Sequence, residues 1–173
     1  MSLVRLSEIG LPEWHPHRRA NSSIQIYHDR FRADRFMSSA DDFNMKNIEE
    51  FRRNHGRVGG YFEGAPLLLL HTVGRRSGRP RVHPVMYLKD GERYVVFASK
   101  GGADTHPDWY YNLVAHPDAQ VEVGDETIDV HAEEIRGRQH DAIYQRQATL
   151  YPQFAEYQRK TKRIIPVIAL TKK

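Results

Sequence analysis

Two short turns constrain this 173-residue chain more than any other feature: Asp90-Gly91 and Gly124-Asp125, each set between runs rich in valine, isoleucine, tyrosine or phenylalanine. Glycine and aspartate accept the positive φ of a tight hairpin, so residues 82–88 are expected to pair antiparallel with 93–99. The second hairpin passes through Val121 and Val123 and returns through Ile128, Val130 and Ala132, whose alternation with polar neighbours implies one wet face. Residues 67–73 are short, apolar and bounded by glycine and proline, as expected of a strand buried on both faces. A sixth strand is expected over 164–170, where Pro166 cannot donate a ladder hydrogen bond and so points to an edge or a bulge. Successive strands lack the intervening helices of a parallel sheet, which argues against a doubly wound nucleotide fold. The expectation is an α+β domain built on a small six-stranded antiparallel β-barrel with flanking helices.

Helices are expected around that barrel. Phe43, Ile48 and Phe51 recur at helical spacing, with Asp41 and Asp42 placed to cap the start and Gly56 the end, giving a helix over 43–55. A second starts near His106, capped by Asp104 or Thr105 with Pro107 in its first turn, and runs to Ala115. A third covers 138–150, and Pro152 would initiate a fourth. Residues 1–40 lack a sustained apolar pattern and read as an arm, with Ile24, Tyr27 and Phe31 on one face of a short helix; the domain proper is 41–173. Oligomer contact, lid, membrane-surface contact and flexible tail all stay open for the arm.

Exclusions narrow the chemistry. The chain has no cysteine, so disulfides, thiolate metal sites and cysteine nucleophiles are ruled out. It holds no glycine-rich dinucleotide fingerprint, phosphate loop, zinc-protease or serine-hydrolase motif. Its ten histidines are scattered, and His15-Pro-His17 is a close pair without a third ligand, so no metal is expected. No apolar run approaches the ~20 residues of a membrane span or the core of a signal peptide. A cytoplasmic protein is expected, with a peripheral contact at the inner membrane surface open to the arm.

Three segments carry chemistry. In 74–81, four of eight residues are arginine (Arg75, Arg76, Arg79, Arg81), around a two-glycine turn whose backbone N–H groups would be free for an anion. The plain alternative is a solvated basic hairpin tip. In 98–103, Ser99, Lys100, Gly101 and Gly102 put a hydroxyl, an amine and a close backbone approach beside a helix start, where an anionic or carbonyl-rich ring would fit. The alternative there is a bare glycine-rich connection. Trp109, Tyr110 and Tyr111, then Tyr151, Phe154 and Tyr157, supply rings; the last three spread over about 120° of a helix and would face one cleft. Such stripes otherwise belong to a core. A second basic cluster, Arg159, Lys160, Lys162 and Arg163, joins the net charge of +4 in making an anionic partner plausible.

Taken in order, TVGRRSGRPR (72–81), ASKGGA (98–103), HPDWYYNL (106–113) and YPQFAEYQRKTKRIIPV (151–167) resemble the deazaflavin-dependent nitroreductase family, over about 43–171. The resemblance implies a split β-barrel related to flavin-mononucleotide-binding oxidases, and coenzyme F420, whose tail carries a phosphate and glutamates. It further implies that Arg75, Arg76 and Arg81 lie near that phosphate and tail, and that Ser99, Lys100, Gly101, Gly102 and Trp109 lie beside the cofactor. Tyr151, Phe154 and Tyr157 would be on the substrate side. Phe154 departs from a tyrosine of the nitroimidazole-reducing member, which bears on nitroimidazole activation more than on cofactor binding.

The expected function is hydride transfer from reduced deazaflavin to a conjugated small-molecule acceptor such as a quinone, enone or nitro compound. Tyr151, Tyr157 or Ser99 would donate a hydrogen bond to the oxygen that gains charge. Two other readings stand beside it: a barrel holding flavin mononucleotide (FMN) or haem, and a non-enzymatic nucleic-acid-binding barrel. Arg75, Arg76, Arg79, Arg81 and Lys100 are more positive charge than a single phosphate requires. No nucleic-acid partner is expected under the leading reading, and the oligomeric state is open.

Overall fold

The structure, a computed structural model, describes residues 39–173. The readings of the arm, including the His15/His17 pair and the Ile24, Tyr27 and Phe31 face, lie outside the described residues. The expected barrel is present. Strands β1 (Leu67–Val73), β2 (Pro80–Asp90), β3 (Arg93–Phe97), β4 (Asp118–Val123), β5 (Glu126–Ile135) and β6 (Val167–Lys172) close in the order β1-β2-β3-β6-β5-β4, every pair antiparallel. Both two-residue turns join strands as read: Asp90 pairs with Arg93 and Val123 with Glu126.

The apolar runs follow from packing on both faces of the wall. Leu68 and Leu70 of β1, Val96 of β3 and Ile168 and Leu170 of β6 fill the interior with Val121 and Val130. The intervening residues face outward into two other cores. Leu67 and Leu69 meet Ile48 and Phe51 of helix α1 (Ser39–Arg53). Val95, Phe97, Val167 and Ala169 meet Ile143 and Tyr144 of α3 (Gly137–Leu150) and Phe154 of α4 (Gln153–Lys160). Strand β5 has one wet face: Ile128 and Val130 are buried, whereas Thr127, Asp129 and His131 are exposed.

Helix α2 (Asp108–Ala115) connects β3 to β4 and sends Trp109 and Leu113 into the interior core. Its start differs from the expectation: Pro107, not Asp104 or Thr105, occupies the N-cap position, and no side chain caps it. The two expected caps are used otherwise, because Asp104 accepts from the Thr161 hydroxyl and Thr105 from the Lys100 ammonium. Strand β6 also begins later than expected. Pro166 lies just before it, its carbonyl accepting from the Ala98 N–H, and β6 is flanked on both sides in the closed barrel, so the edge inferred from the proline does not exist.

Helix α1 is fastened to the barrel at its C-terminal end. Arg52 grips the Glu122 carboxylate of β4 with two bonds, of 2.6 and 3.0 Å, while His71 of β1 meets the same carboxylate at 2.7 Å. Beyond the helix, the Gly56 N–H closes back onto the Phe51 carbonyl at 2.8 Å, with Gly56 at φ +92. A Cβ on Gly56 would lie 2.8 Å from Cα of Gly124 in the β4–β5 turn, so backbone packs on backbone there.

Gly56→Ala is therefore expected to cost about 1 kcal/mol or more, since it adds both strain and a clash. Thermal denaturation would read this as a Tm lowered by about 2–4 °C or more. The Arg52 hydrogen bond holds the Glu122 carboxyl below its ordinary 4.5 against the opposing effect of burial, and His71 adds to it. A lowered carboxylate pKa means stability that is present above pH 4.5 and lost as the pH falls through the folded value. Urea midpoints of the parent and Glu122→Gln should differ near neutrality and converge as the pH falls below 4.5.

Candidate functional site

The turn that joins β1 to β2 is built tightly. The Gly74 N–H donates to the Arg79 carbonyl, the Gly78 N–H to the Gly74 carbonyl, and the Arg79 N–H to the Ser77 hydroxyl. The Arg75 N–H donates to Asn112 Oδ1 at 3.0 Å, and Asn112 Nδ2 in turn donates to the Thr72 hydroxyl at 3.1 Å. Asn112 is buried on α2, so one amide ties the turn, β1 and α2 together. The N–H groups of Gly74, Gly78 and Arg79 thus bond within the turn and that of Arg75 bonds Asn112, so these four are not available to an anion.

Arg75, Arg76 and Arg81 lie around one cavity of about 490 Å³, which they line with Gly74, Ser77, His83, Asn112, Asp41 and Asp108. Arg79 is not among its lining residues. Three guanidinium groups against two carboxylates leave the lining cationic, though less so than the arginine count suggests. The Arg75 guanidinium lies over the Tyr111 ring of α2, 4.6 Å from its centroid, a cation–π contact.

The segment after β3 is shaped by three consecutive positive φ angles, at Lys100 (+47), Gly101 (+63) and Gly102 (+84). Such angles are costly for a lysine, so the loop needs an external hold. Arg163 supplies it. Its Nε donates to the Ala103 carbonyl at 2.8 Å, Nη2 to the carbonyls of Ala98 (3.1 Å) and Ser99 (2.8 Å), and Nη1 to Nδ1 of His106 at 2.9 Å. Burial, and then Arg163 itself, lower the His106 pKa, which keeps the imidazole neutral and its Nδ1 an acceptor. His106 packs against Tyr110 and Tyr111 with ring centroids at 4.6 and 5.6 Å. A continuous chain of contacts, Arg75 to Tyr111 to His106 to Arg163 to the Ser99 carbonyl, thus connects the two glycine-containing segments.

Arg163 is the functional residue that sequence reasoning missed in kind. It stood in the second basic cluster as a candidate for binding an external anion, and the structure turns it inward onto backbone oxygens. Its neighbour Arg159 pairs with Glu156. The signal available was position: Arg163 precedes the Ile164-Ile165-Pro166 run that leads into β6, where a side chain is carried toward the β3 end.

The aromatic residues divide. Trp109 is 5% exposed within the interior core, and Phe154 is 4% exposed between the rings of Phe97 and Tyr157, so these two rings pack the protein instead of lining an open cleft. Tyr151 sits just before α4, not on it, and is partly buried against the same core as Phe154. Tyr157 reaches farther. Its hydroxyl meets that of Tyr61 at 2.6 Å, from the 3₁₀ turn Gly60–Phe62, and burial followed by that hydrogen bond raises its pKa. Gly102 lies against the same helix, since a Cβ there would come within 2.7 Å of the Tyr157 carbonyl oxygen. The Ser99–Gly102 loop therefore packs against the backbone of α4 at Tyr157. Lys100 is exposed, with its ammonium 3.0 Å from the Thr105 hydroxyl. Among the described residues no cluster of histidine and carboxylate side chains could hold a metal ion, and no helix is long and apolar enough to cross a membrane.

A family model described as F420H(2)-dependent quinone reductase matches residues 44–172. An F420H(2)-dependent quinone reductase of Mycobacterium tuberculosis is 38% identical over 129 residues, covering 71% of this chain and 85% of that protein. Among solved structures, an F420-H2 dependent reductase, FDR-A, is 39% identical with a TM-score of 0.56, covering 61% of this chain and 93% of that one. A further structure, described as a domain-swapped dimer, is 30% identical with a TM-score of 0.58, covering 87% and 99%. The match runs from within α1 to the end of β6 and takes in all four sequence runs that resemble deazaflavin-dependent reductases, so the chain belongs to the F420H(2)-dependent quinone reductase family.

Proposed function

We propose that this enzyme reduces a quinone with F420H2, and that an enone or nitro compound is an acceptor of the same electronic kind. The observation that carries the reading is the convergence of Arg75, Arg76 and Arg81 on one cavity, joined through Tyr111, His106 and Arg163 to the loop that ends β3. The donor set fits the coenzyme's chemistry: guanidinium forks suit a phosphate and carboxylate tail, and a glycine loop lets a flat ring approach backbone. When bound, F420H2 supplies two electrons as a hydride.

The chain's residues then have three tasks. Arg75, Arg76 and Arg81 hold the tail. Ser99, Lys100, Gly101 and Gly102, braced by Arg163, position the ring, and the buried face of α4 keeps water away. Reduction of a quinone to a hydroquinone consumes one hydride and one proton. In this reading Tyr157 would donate a hydrogen bond to the acceptor oxygen as it gains charge, and pass on that proton. The hydroxyl pair holds two protons and uses one internally, so one remains to give, and Tyr61, 68% exposed, returns it from solvent. Tyr151 and Ser99 are the further donors on this side. Phe154 contributes by packing, and Trp109 supports the site from the interior core.

Fluorescence titration with oxidised F420 and with FMN tests the assignment: F420 should bind tightly and FMN weakly, and tight binding of FMN alone would overturn it. Arg76→Ala should weaken F420 binding about tenfold, the worth of one charge-assisted contact. Arg163→Lys cannot reproduce the planar fork; it is expected to weaken F420 binding at least as much and to leave the circular dichroism spectrum unchanged. Tyr157→Phe should lower kcat for a quinone by on the order of a hundredfold at unchanged F420 affinity.

A further inference from the structure

His83 has no part in the roles assigned above, yet it lies inside the arginine cavity. The register of β1 and β2 pairs it with Leu70, whose side chain belongs to the interior core, so His83 sits on the inward face of β2 with Arg81 two residues before it and Val85 two residues after it. The ring lines the cavity with Arg75, Arg76, Arg81, Asn112 and Asp108. Its Nδ1 is sealed from solvent and has no hydrogen-bond partner.

A buried ring nitrogen without an acceptor is a poor place for a proton. The neutral ring therefore keeps its proton on Nε2, and a second proton on Nδ1 would create an unmatched N–H beside several guanidinium groups. Burial lowers the His83 pKa and Arg81 adds to this, against the opposing influence of Asp108 on α2 and Asp41 on α1. The ring is thus a hydrogen-bond donor that carries no charge, set among donors that do.

The geometry points to His83 as an uncharged recognition group of this cavity, donating Nε2–H to an oxygen of a bound phosphate or carboxylate group. The identity of the ligand as F420 rests on the proposed function; the recognition chemistry does not. A neutral donor and a guanidinium differ in one measurable way: long-range attraction between charges is screened by salt, whereas a single hydrogen bond from a neutral group is not.

The test measures dissociation constants for oxidised F420 and for inorganic pyrophosphate, at two salt concentrations, in the parent, His83→Leu, His83→Gln and Arg76→Ala proteins. His83→Leu should bind both ligands about tenfold more weakly at either salt concentration, with the parent's salt dependence intact. His83→Gln, whose amide nitrogen reaches close to the Nε2 position, should stay within about threefold of the parent. Arg76→Ala should instead flatten the salt dependence. The thermal midpoint of ligand-free His83→Leu should be no lower than the parent's, because the substitution removes the buried, unpartnered Nδ1. Unchanged affinity in His83→Leu would overturn the proposal, as would a loss that vanishes at high salt, the mark of a charged imidazolium. Parent protein that binds pyrophosphate but not F420 would refute the coenzyme reading and leave the His83 comparison decisive on its own; binding of neither would refute both.

Discussion

The partly buried guanidinium of Arg163 is the interaction on which the arrangement of the site depends. A segment with three successive positive φ angles, one of them at a lysine, is not a conformation the chain would keep on its own. Three backbone carbonyls of that segment and its flanks accept hydrogen bonds from one rigid planar cation, which fixes the segment without a hydrophobic side chain. The cation is itself satisfied by the same contacts and by His106, as a partly buried charge must be. The imidazole can serve only while it is neutral, so the pKa of His106 and the shape of the loop are two descriptions of one constraint.

The barrel provides the frame for this contact. Arg163 lies three residues before Pro166, whose carbonyl continues the pairing of β3 with β6 by accepting from Ala98. Leaving α4, the chain must pass the end of β3 to enter β6, which brings an arginine to the carbonyls released where β3 stops. The same passage puts the Tyr157 backbone against Gly102, and a side chain at residue 102 would force α4 away. Loop, helix and strand end are positioned together because no spacer separates them.

Most of the fold was legible in the sequence because its signals are local. The two turns specify antiparallel neighbours, and the unbroken apolar run of β1 reflects packing against α1 outside and the interior within. What misled was local too. Pro166 signals a missing ladder donor, but by standing outside β6 it costs nothing and leaves the barrel closed. The aromatic spacing at 151, 154 and 157 suggested one open face, yet Phe154, lacking a hydroxyl that would need a partner, is the member that goes to the core. Arg163 and His83 were beyond sequence reasoning for a different reason: their roles are set by partners 57 to 65 residues away, or by the absence of any partner.

The way the arginine turn spends its backbone decides what kind of anion the cavity suits. Glycine-rich loops that bind phosphate through backbone amides impose one geometry on one group. Here the N–H groups of Gly74, Arg75, Gly78 and Arg79 are committed to the turn and to Asn112, so on the proposed function much of the recognition would pass to guanidinium groups on long side chains, of which Arg75 lies over the Tyr111 ring. Such donors can follow charge spread along a ligand, and Asp41 and Asp108 keep the excess of positive charge small. On the proposed function, a grip of that kind would suit an extended anion whose flat end is bound elsewhere better than a compact phosphate that must be fixed in place, with the Arg163-braced loop as the rigid half of the recognition and the cavity as the adaptable half.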